Sequence, residues 1–367
     1  MTDAGDNCHS CGEPVVAGDA FCEGCGSTLV PSPPNLTSAG AALVPDASAA
    51  GDGAGSHVPK TTFSAAPGAA GTCVECDSPV ADDGFCSVCG KKAPSPRDHW
   101  QESPTDWVGG VCDKGIVHAR NEDAMALAAV GDHSLAVLVV CDGVTSAPDS
   151  DRAALAAARE ACAALVATPQ ATATGIAGIV SHWSAAIAGA CSVANAAAVG
   201  VARSLGDPVE PPSCTFVAAV LDRDVVTVGW CGDSRAYWLP DAGAPEELTL
   251  DHSLGTEMMR AGKSRAEAEA DPTFHTITRW LGADSVDATP DTASKTITEA
   301  GWLLVCSDGL WNYASPAVAV KALVHELFAA GAATSVELAG ALVDWANEQG
   351  GHDNITAALA RVEPSLR

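Results

Sequence analysis

The rhythm of apolar positions changes near residue 105. Before it, large apolar side chains are scarce. Pro31–Gly71 is rich in Pro, Ser, Ala and Gly, and cannot bury enough surface to offset its ordering entropy, so it is expected to be a flexible linker. Lys91–Pro104, with three prolines, reads as a second linker. From Thr105 the pattern becomes that of a packed domain. Trp107–Cys112 and Leu135–Asp142 predict strands, the latter an unbroken apolar run ending on a carboxylate. Ser150–Thr168 and Thr174–Leu205 predict long, Ala-rich helices. Thr215–Leu221, Val225–Gly232 and Arg235–Leu239 predict three strands at hairpin spacing, and Trp302–Ser307 another buried strand. Val318–Ala329 and Ser335–Glu348 predict helices, and Asn354–Val362 a last strand. Strand groups separated by helix pairs predict a layered domain with sheets inside and helices outside. The longest apolar run, Ala185–Ala202, is Ala-rich and carries Ser192 and Asn195, which fits a buried helix better than a membrane span.

Composition narrows the function classes. With 367 residues the chain has room for one core of roughly 250 residues plus small modules. Apolar residues make up 47% and charged residues 18%, so the bulk is expected to fold. The net charge of −27 repels phosphate backbones and argues against nucleic-acid binding. Residues 1–30 hold no Lys or Arg, so the same holds for the first N-terminal module. The opening MTDAGDNCHS lacks an apolar signal segment, and a cytoplasmic location is expected. In a reducing compartment, closely paired cysteines among the 15 present suggest metal ligands rather than disulfides.

Those pairs form an internal repeat. Cys8-x2-Cys11 with Cys22-x2-Cys25, and Cys73-x2-Cys76 with Cys86-x2-Cys89, each place Phe before the third Cys (Phe21, Phe85) and Gly after the last (Gly26, Gly90). Each set supplies four thiolates, the donor number and type that zinc prefers. Two closed, structural Zn²⁺ sites are expected. His9, inside a knuckle that already has four thiolates, is not counted as a ligand. The units resemble the zinc ribbons of many bacterial proteins, and protein contact is the role expected of them. Binding would supply much of the folding energy of so small a unit, on the order of 10 kcal/mol.

In the larger domain, carboxylates recur at strand ends: Glu122-Asp123, Asp142-Gly143, Gly232-Asp233, Ser307-Asp308-Gly309 and Asp353-Asn354. An Asp ending a buried strand is costly unless paired or bound to a cation. Oxygen donors of this kind select Mg²⁺ or Mn²⁺ over zinc.

Taken in order, Gly115-x4-Arg120-Asn121-Glu122-Asp123, Asp142-Gly143, Ser213-Cys214-Thr215, Gly232-Asp233-Ser234-Arg235-Ala236-Tyr237, Asp251-His252-Ser253, Leu281-Gly282, Ser307-Asp308-Gly309-Leu310-Trp311 and Asp353-Asn354-Ile355-Thr356 resemble the signature run of the metal-dependent type 2C (PPM) serine/threonine protein phosphatases. The resemblance implies an α+β fold, a four-layer α-β-β-α sandwich of two packed antiparallel sheets flanked by helices, here preceded by two small four-cysteine zinc ribbons on flexible linkers. The expected organisation is ribbon 1 at 1–30, linker 31–71, ribbon 2 at 72–92, linker 93–104 and the phosphatase-like domain at 105–365. The resemblance also implies hydrolysis of phosphoserine and phosphothreonine in proteins, substrates of bacterial serine/threonine kinases, by a hydroxide bridging a binuclear Mg/Mn centre. By position, Asp142 would bridge both ions, Asp308 and Asp353 would hold one, and Glu122 and the Gly143 carbonyl the other. Asp123 would hold coordinated water, and Asp233 would help bind a third ion.

Three features depart from the family pattern or qualify it. The phosphate-binding Arg expected five residues before Asp123 is His118, and Arg120 follows two residues later, so His118, Arg120 or both are candidates for that role. The usual Gly- and His-rich continuation after Asp142 is replaced by Val144-Thr145-Ser146-Ala147-Pro148. Asp251–Ala283, charged through Glu257, Lys263, Glu267 and Glu269, occupies the place of a mobile flap. The seven cysteines outside the ribbons lack a Cys-x5-Arg phosphate loop and are expected to be buried small hydrophobes. The alternative to an enzyme is a weak or inactive phosphatase-like scaffold that binds proteins through its ribbons; the intact carboxylate set favours the enzyme.

Overall fold

A computed structural model describes residues 61–62, 72–73, 75–81, 84–130, 133–144, 147–173 and 175–364, all within one compact unit, 54–367. The first ribbon, with Cys8, Cys11, Cys22 and Cys25, lies outside the described residues. So do Thr145 and Ser146 and all of the expected linker 31–71 except Thr61–Thr62.

The phosphatase-like domain contains ten main strands: β1 His99–Thr105, β2 Val108–Asp113, β3 Ala124–Val130, β4 Leu135–Cys141, β5 Phe216–Asp222, β6 Val225–Cys231, β7 Arg235–Pro240, β8 Asp291–Thr296, β9 Gly301–Cys306 and β10 Ile355–Val362. They form two antiparallel sheets, one in the order β8-β6-β5-β4-β3 and one in the order β1-β2-β10-β9-β7, the latter extended by Thr61–Thr62 beside β1 and Glu246–Glu247 beside β7. Helices α1 (Ser150–Ala167) and α2 (Ile176–Ser204) cover the first sheet, and α5 (Ala317–Ala329) and α6 (Ser335–Glu348) the second. The short helices α3 (Leu254–Arg260) and α4 (Arg265–Glu269) lie in the expected flap. This is the four-layer sandwich.

Strand β4 shows why its sequence is apolar throughout. Leu135, Val137, Val139 and Cys141 face α1 and α2, while Ala136, Leu138 and Val140 face the second sheet, so both faces are buried. Alanine lets the helices approach closely: Ala154, Ala157, Ala158 and Ala161 of α1 are fully buried. Helix α2 is long and apolar enough to cross a membrane. Here its stripe Ile179, Trp183, Ile187, Ala190 and Ala194 belongs to the core beneath the sheet, and Trp183 Nε1 donates to buried Asp222 at 2.8 Å.

The structure adds two strands that the sequence pattern did not predict and corrects two expectations. Strand β3, AMALAAV, is rich in alanine, which favours helix; pairing with β4 over seven residues overrides that propensity. Strand β8 is polar because it is an exposed edge. Part of the expected linker 93–104 is strand β1, so the domain's sheet begins at His99. There Trp100 and Glu102 point inward, and Pro104 falls where the register shifts between Glu102 and Thr105. Finally, β6 and β7 are not a hairpin. The chain passes from one sheet to the other through Gly232, whose φ of 117° and close approach to the Thr215 side chain (2.7 Å from where a Cβ would lie) require glycine.

Candidate metal centre

Register brings the predicted carboxylates to one rim. Ala124 pairs with Cys141, so the start of β3 and the end of β4 are neighbours. Cys306 pairs with both Arg235 and Ala357, which gathers the end of β9 with the starts of β7 and β10. Glu122 and Asp123 precede β3, Asp142 follows β4, Asp233 joins β6 to β7, Asp308 follows β9 and Asp353 precedes β10.

Each is held by a distinct set of bonds. Asp142 N donates to Thr215 Oγ1 at 3.0 Å, and Thr215 N donates to Asp142 O at 2.7 Å. Gly143 sits so close to Glu122 that a Cβ would lie 2.6 Å from the Glu122 carbonyl oxygen. Glu122 N donates to Asn354 Oδ1 at 2.7 Å. Asp123 Oδ2 accepts from Ser307 Oγ and Thr356 Oγ1, both at 2.7 Å, whereas buried Asp123 Oδ1 has no hydrogen-bond partner. Asp308 Oδ2 accepts from Asn312 Nδ2 at 3.1 Å. Ser307, Thr356 and Asn354 stood inside the sequence motifs without a role; the structure shows that they orient Asp123 and Glu122.

The candidate phosphate binders occupy the same rim but lean on its acids. His118 Nε2 lies 3.3 Å from Asp353 Oδ1. Arg120 reaches Glu122 Oε1 through Nη2 at 2.8 Å and Nε at 3.0 Å. At the start of β7, Arg235 forks onto Asp251, the first residue of the expected flap, at 2.8 and 2.6 Å and lies over the Trp311 ring at 3.6 Å.

Electrostatically the rim is overloaded. Burial, then the charges of Asp123, Asp308, Asp353 and Asp233, hold the Asp142 carboxyl well above its usual range. Burial and the charges of Asp233, Asp353 and Asp123 do the same to Asp308. Burial pushes Asp123 up to about 6, and burial with Asp251 pushes Asp233 up to about 7. Among the described residues, no Lys or Arg forms an ion pair with Asp123, Asp142, Asp233 or Asp308. So much like charge in one desolvated place calls for cations, and an all-oxygen donor set fits a hard divalent ion. No three of these carboxylates draw their oxygens within 4.8 Å of one another, a closeness reached among the described residues only by the second ribbon.

That ribbon gathers the sulfurs of Cys73, Cys76, Cys86 and Cys89. Sulfur separations are 3.5 Å for Cys73–Cys89, Cys76–Cys86 and Cys76–Cys89, near the roughly 3.8 Å edge of a tetrahedron with Zn–S bonds of about 2.3 Å. The backbone N–H groups of Cys89 and Val88 donate to Cys86 Sγ and bring that thiol down to about 6, while Cys89, despite a backbone bond at Lys91, is pushed up to about 12 by the neighbouring Cys86 and Cys73 sulfurs. The other seven cysteines are buried, and burial pushes thiols such as Cys112 up to about 12. They are poor nucleophiles.

Residues 116–347 match the protein phosphatase 2C family model, and residues 8–90 match a double zinc ribbon. A serine/threonine phosphatase, stp, of Listeria innocua is 34% identical over 146 residues, which is 40% of this chain and 55% of that protein. The matched region thus spans about half the length of the curated relative. The fold is similar to that of the Mycobacterium tuberculosis serine/threonine phosphatase PstP/Ppp (TM-score 0.55, 23% identity, 70% of this chain and 98% of that one). It is also similar to a PstP catalytic domain in complex with two manganese ions (TM-score 0.52, 24% identity, 70% and 98%).

Proposed function

Because the chain belongs to the protein phosphatase 2C family, we propose that it hydrolyses phosphoserine and phosphothreonine in proteins at hard divalent cations, Mn²⁺ or Mg²⁺, held on the acidic rim. The observation that carries this reading is the gathering of Asp123, Asp142, Asp233 and Asp308 at one rim, pushed above their usual range and, among the described residues, without an ion-paired Lys or Arg. The relatives named as serine/threonine phosphatases support it, as does the manganese pair in a protein of the same fold.

In this reading Asp142, Asp308 and Asp353, with Glu122 and the Gly143 carbonyl, would hold the cations. Asp233 would assist a further ion. Bound there, the cations would activate water toward phosphorus and offset charge on the phosphoryl oxygens. The protein's part is orientation. Ser307 and Thr356 fix one oxygen of Asp123 and leave Oδ1 for water in the cations' shell. Thr215 fixes the backbone at Asp142. Arg120 and His118, which lean on Glu122 and Asp353, would be the side chains that receive phosphate. The ribbons would each hold a structural Zn²⁺ and recognise a protein, in the cytoplasm.

The test is hydrolysis of p-nitrophenyl phosphate and a phosphothreonine peptide with Mn²⁺, with EDTA, and in Asp142→Ala. Mn²⁺-dependent turnover lost in the variant is expected. Turnover without metal, or none with any metal, refutes the reading.

A further inference from the structure

The connector between the second ribbon and the sheet is short and fastened at both ends. Ala93 N donates to Gly84 O at 2.7 Å, which holds the ribbon's fold up to Ala93. Pro94 and Pro96 stiffen the next three residues. Ser95–Asp98 is a stapled turn: Ser95 N donates to Asp98 Oδ2 at 2.9 Å, Asp98 N to Ser95 O at 2.9 Å, and Arg97 N to Ser95 Oγ at 3.2 Å. Lys114 N then donates to Asp98 O at 2.7 Å, where β1 begins.

Arg97 stands in this turn, and its guanidinium does not face solvent ions. Nη2 donates to the Asp123 carbonyl oxygen at 2.7 Å and Nη1 to the Asp151 carbonyl oxygen at 3.1 Å. Its own carbonyl accepts from Asn121 Nδ2 at 2.9 Å, and Asn121 Oδ1 accepts from Asp123 N at 3.1 Å. One residue therefore fixes the backbone of Asn121–Asp123 from two sides. It also ties that backbone to the first turn of α1, just beyond the loop that follows Asp142. The Arg97 side chain touches no carboxylate of the rim; it acts on the peptide that carries one.

We propose that Arg97 is a positioning residue of the metal centre, and that through it the folded state of the second ribbon sets the affinity of the rim for its divalent cations. This rests on the family reading of the rim. A planar guanidinium spans two carbonyls in fixed geometry, which a lysine ammonium cannot reproduce. Outer partners of metal ligands commonly change affinity by about 10–100-fold. The proline-stiffened connector gives the ribbon a direct mechanical hold on Arg97.

The experiment measures Mn²⁺ binding to the full-length, zinc-loaded protein by calorimetry and by the electron paramagnetic resonance of free Mn²⁺, with Asp142→Ala as the marker of rim binding. Arg97→Ala is expected to weaken rim binding about tenfold, Arg97→Lys less, with thermal unfolding of the core little changed. A ribbon variant, Cys76→Ser/Cys89→Ser, is expected to weaken it too, and its effect is expected to vanish in the Arg97→Ala background. Unchanged affinity in Arg97→Ala, an unaffected ribbon variant, or effects that simply add would each overturn the proposal. Failure of the underlying reading looks different: the wild-type protein would then show no Asp142-dependent Mn²⁺ binding, or would bind Mn²⁺ and hydrolyse no phosphoester.

Discussion

Asp233 offers the sharpest test of the electrostatic argument. It is 6% exposed, and burial with the charge of Asp251 lifts its carboxyl from the ordinary 3.8 to about 7. Each decade is about 1.36 kcal/mol, so ionising it in the metal-free folded protein costs on the order of 4 kcal/mol. The sign follows from linkage. The folded state holds the proton more tightly than the unfolded chain, so metal-free stability is lost as pH rises from about 4 to about 7 and is constant above that. Asp233→Asn removes the ionisation. At pH 8, without divalent cations, the variant is expected to melt above the wild type, with roughly 16 °C as an upper bound at about 2–4 °C per kcal/mol for a domain of this size. At pH 4 the two should melt together, and saturating Mn²⁺ should shrink the difference at pH 8. The measurement is differential scanning calorimetry of both proteins at matched zinc content. A variant that gains nothing at pH 8, or gains equally at pH 4, would refute the account of the rim as an uncompensated acidic cluster.

Arg120→Ala removes the guanidinium that lies on Glu122 and should lower kcat/KM for a phosphothreonine peptide by at least tenfold, the scale of one lost charge-assisted contact; full activity in steady-state kinetics would leave phosphate binding to His118. Cys76→Ser should cost the second ribbon its zinc, read as one Zn²⁺ fewer per chain by atomic absorption. Trp183→Phe takes one donor from buried Asp222, which keeps Arg223 at 3.0 Å, and should destabilise by about 1–3 kcal/mol in urea unfolding at unchanged metal affinity.

Strong local signals carried most of this from the sequence. The unbroken apolar runs of β4 and β9 and the long Ala-rich helices follow from burial on both faces and from close helix packing, and both leave direct marks on composition. The carboxylates at strand ends were visible because each interrupts an apolar run where a charge is costly. What could not be read depends on contacts between distant segments. Strand β3 needed β4 beside it to override alanine's helical preference. Strand β1, with its proline, needed the register shift against β2. The crossing at Gly232 looks like any short turn until the two sheets are seen. Arg97 carried no signal, because its partners are main-chain carbonyls at Asp123 and Asp151 that no motif records.

The rim is assembled from both halves of the sandwich. Glu122, Asp123 and Asp142 belong to the ends of one sheet, Asp308 and Asp353 to the ends of the other. An ion held by both groups would fasten one layer to the next, and small sliding of the layers against each other would spoil its coordination. Amide hydrogen exchange along β4 and β9 should slow together once ions are present, the rigidity of the two layers rising with occupancy of the rim.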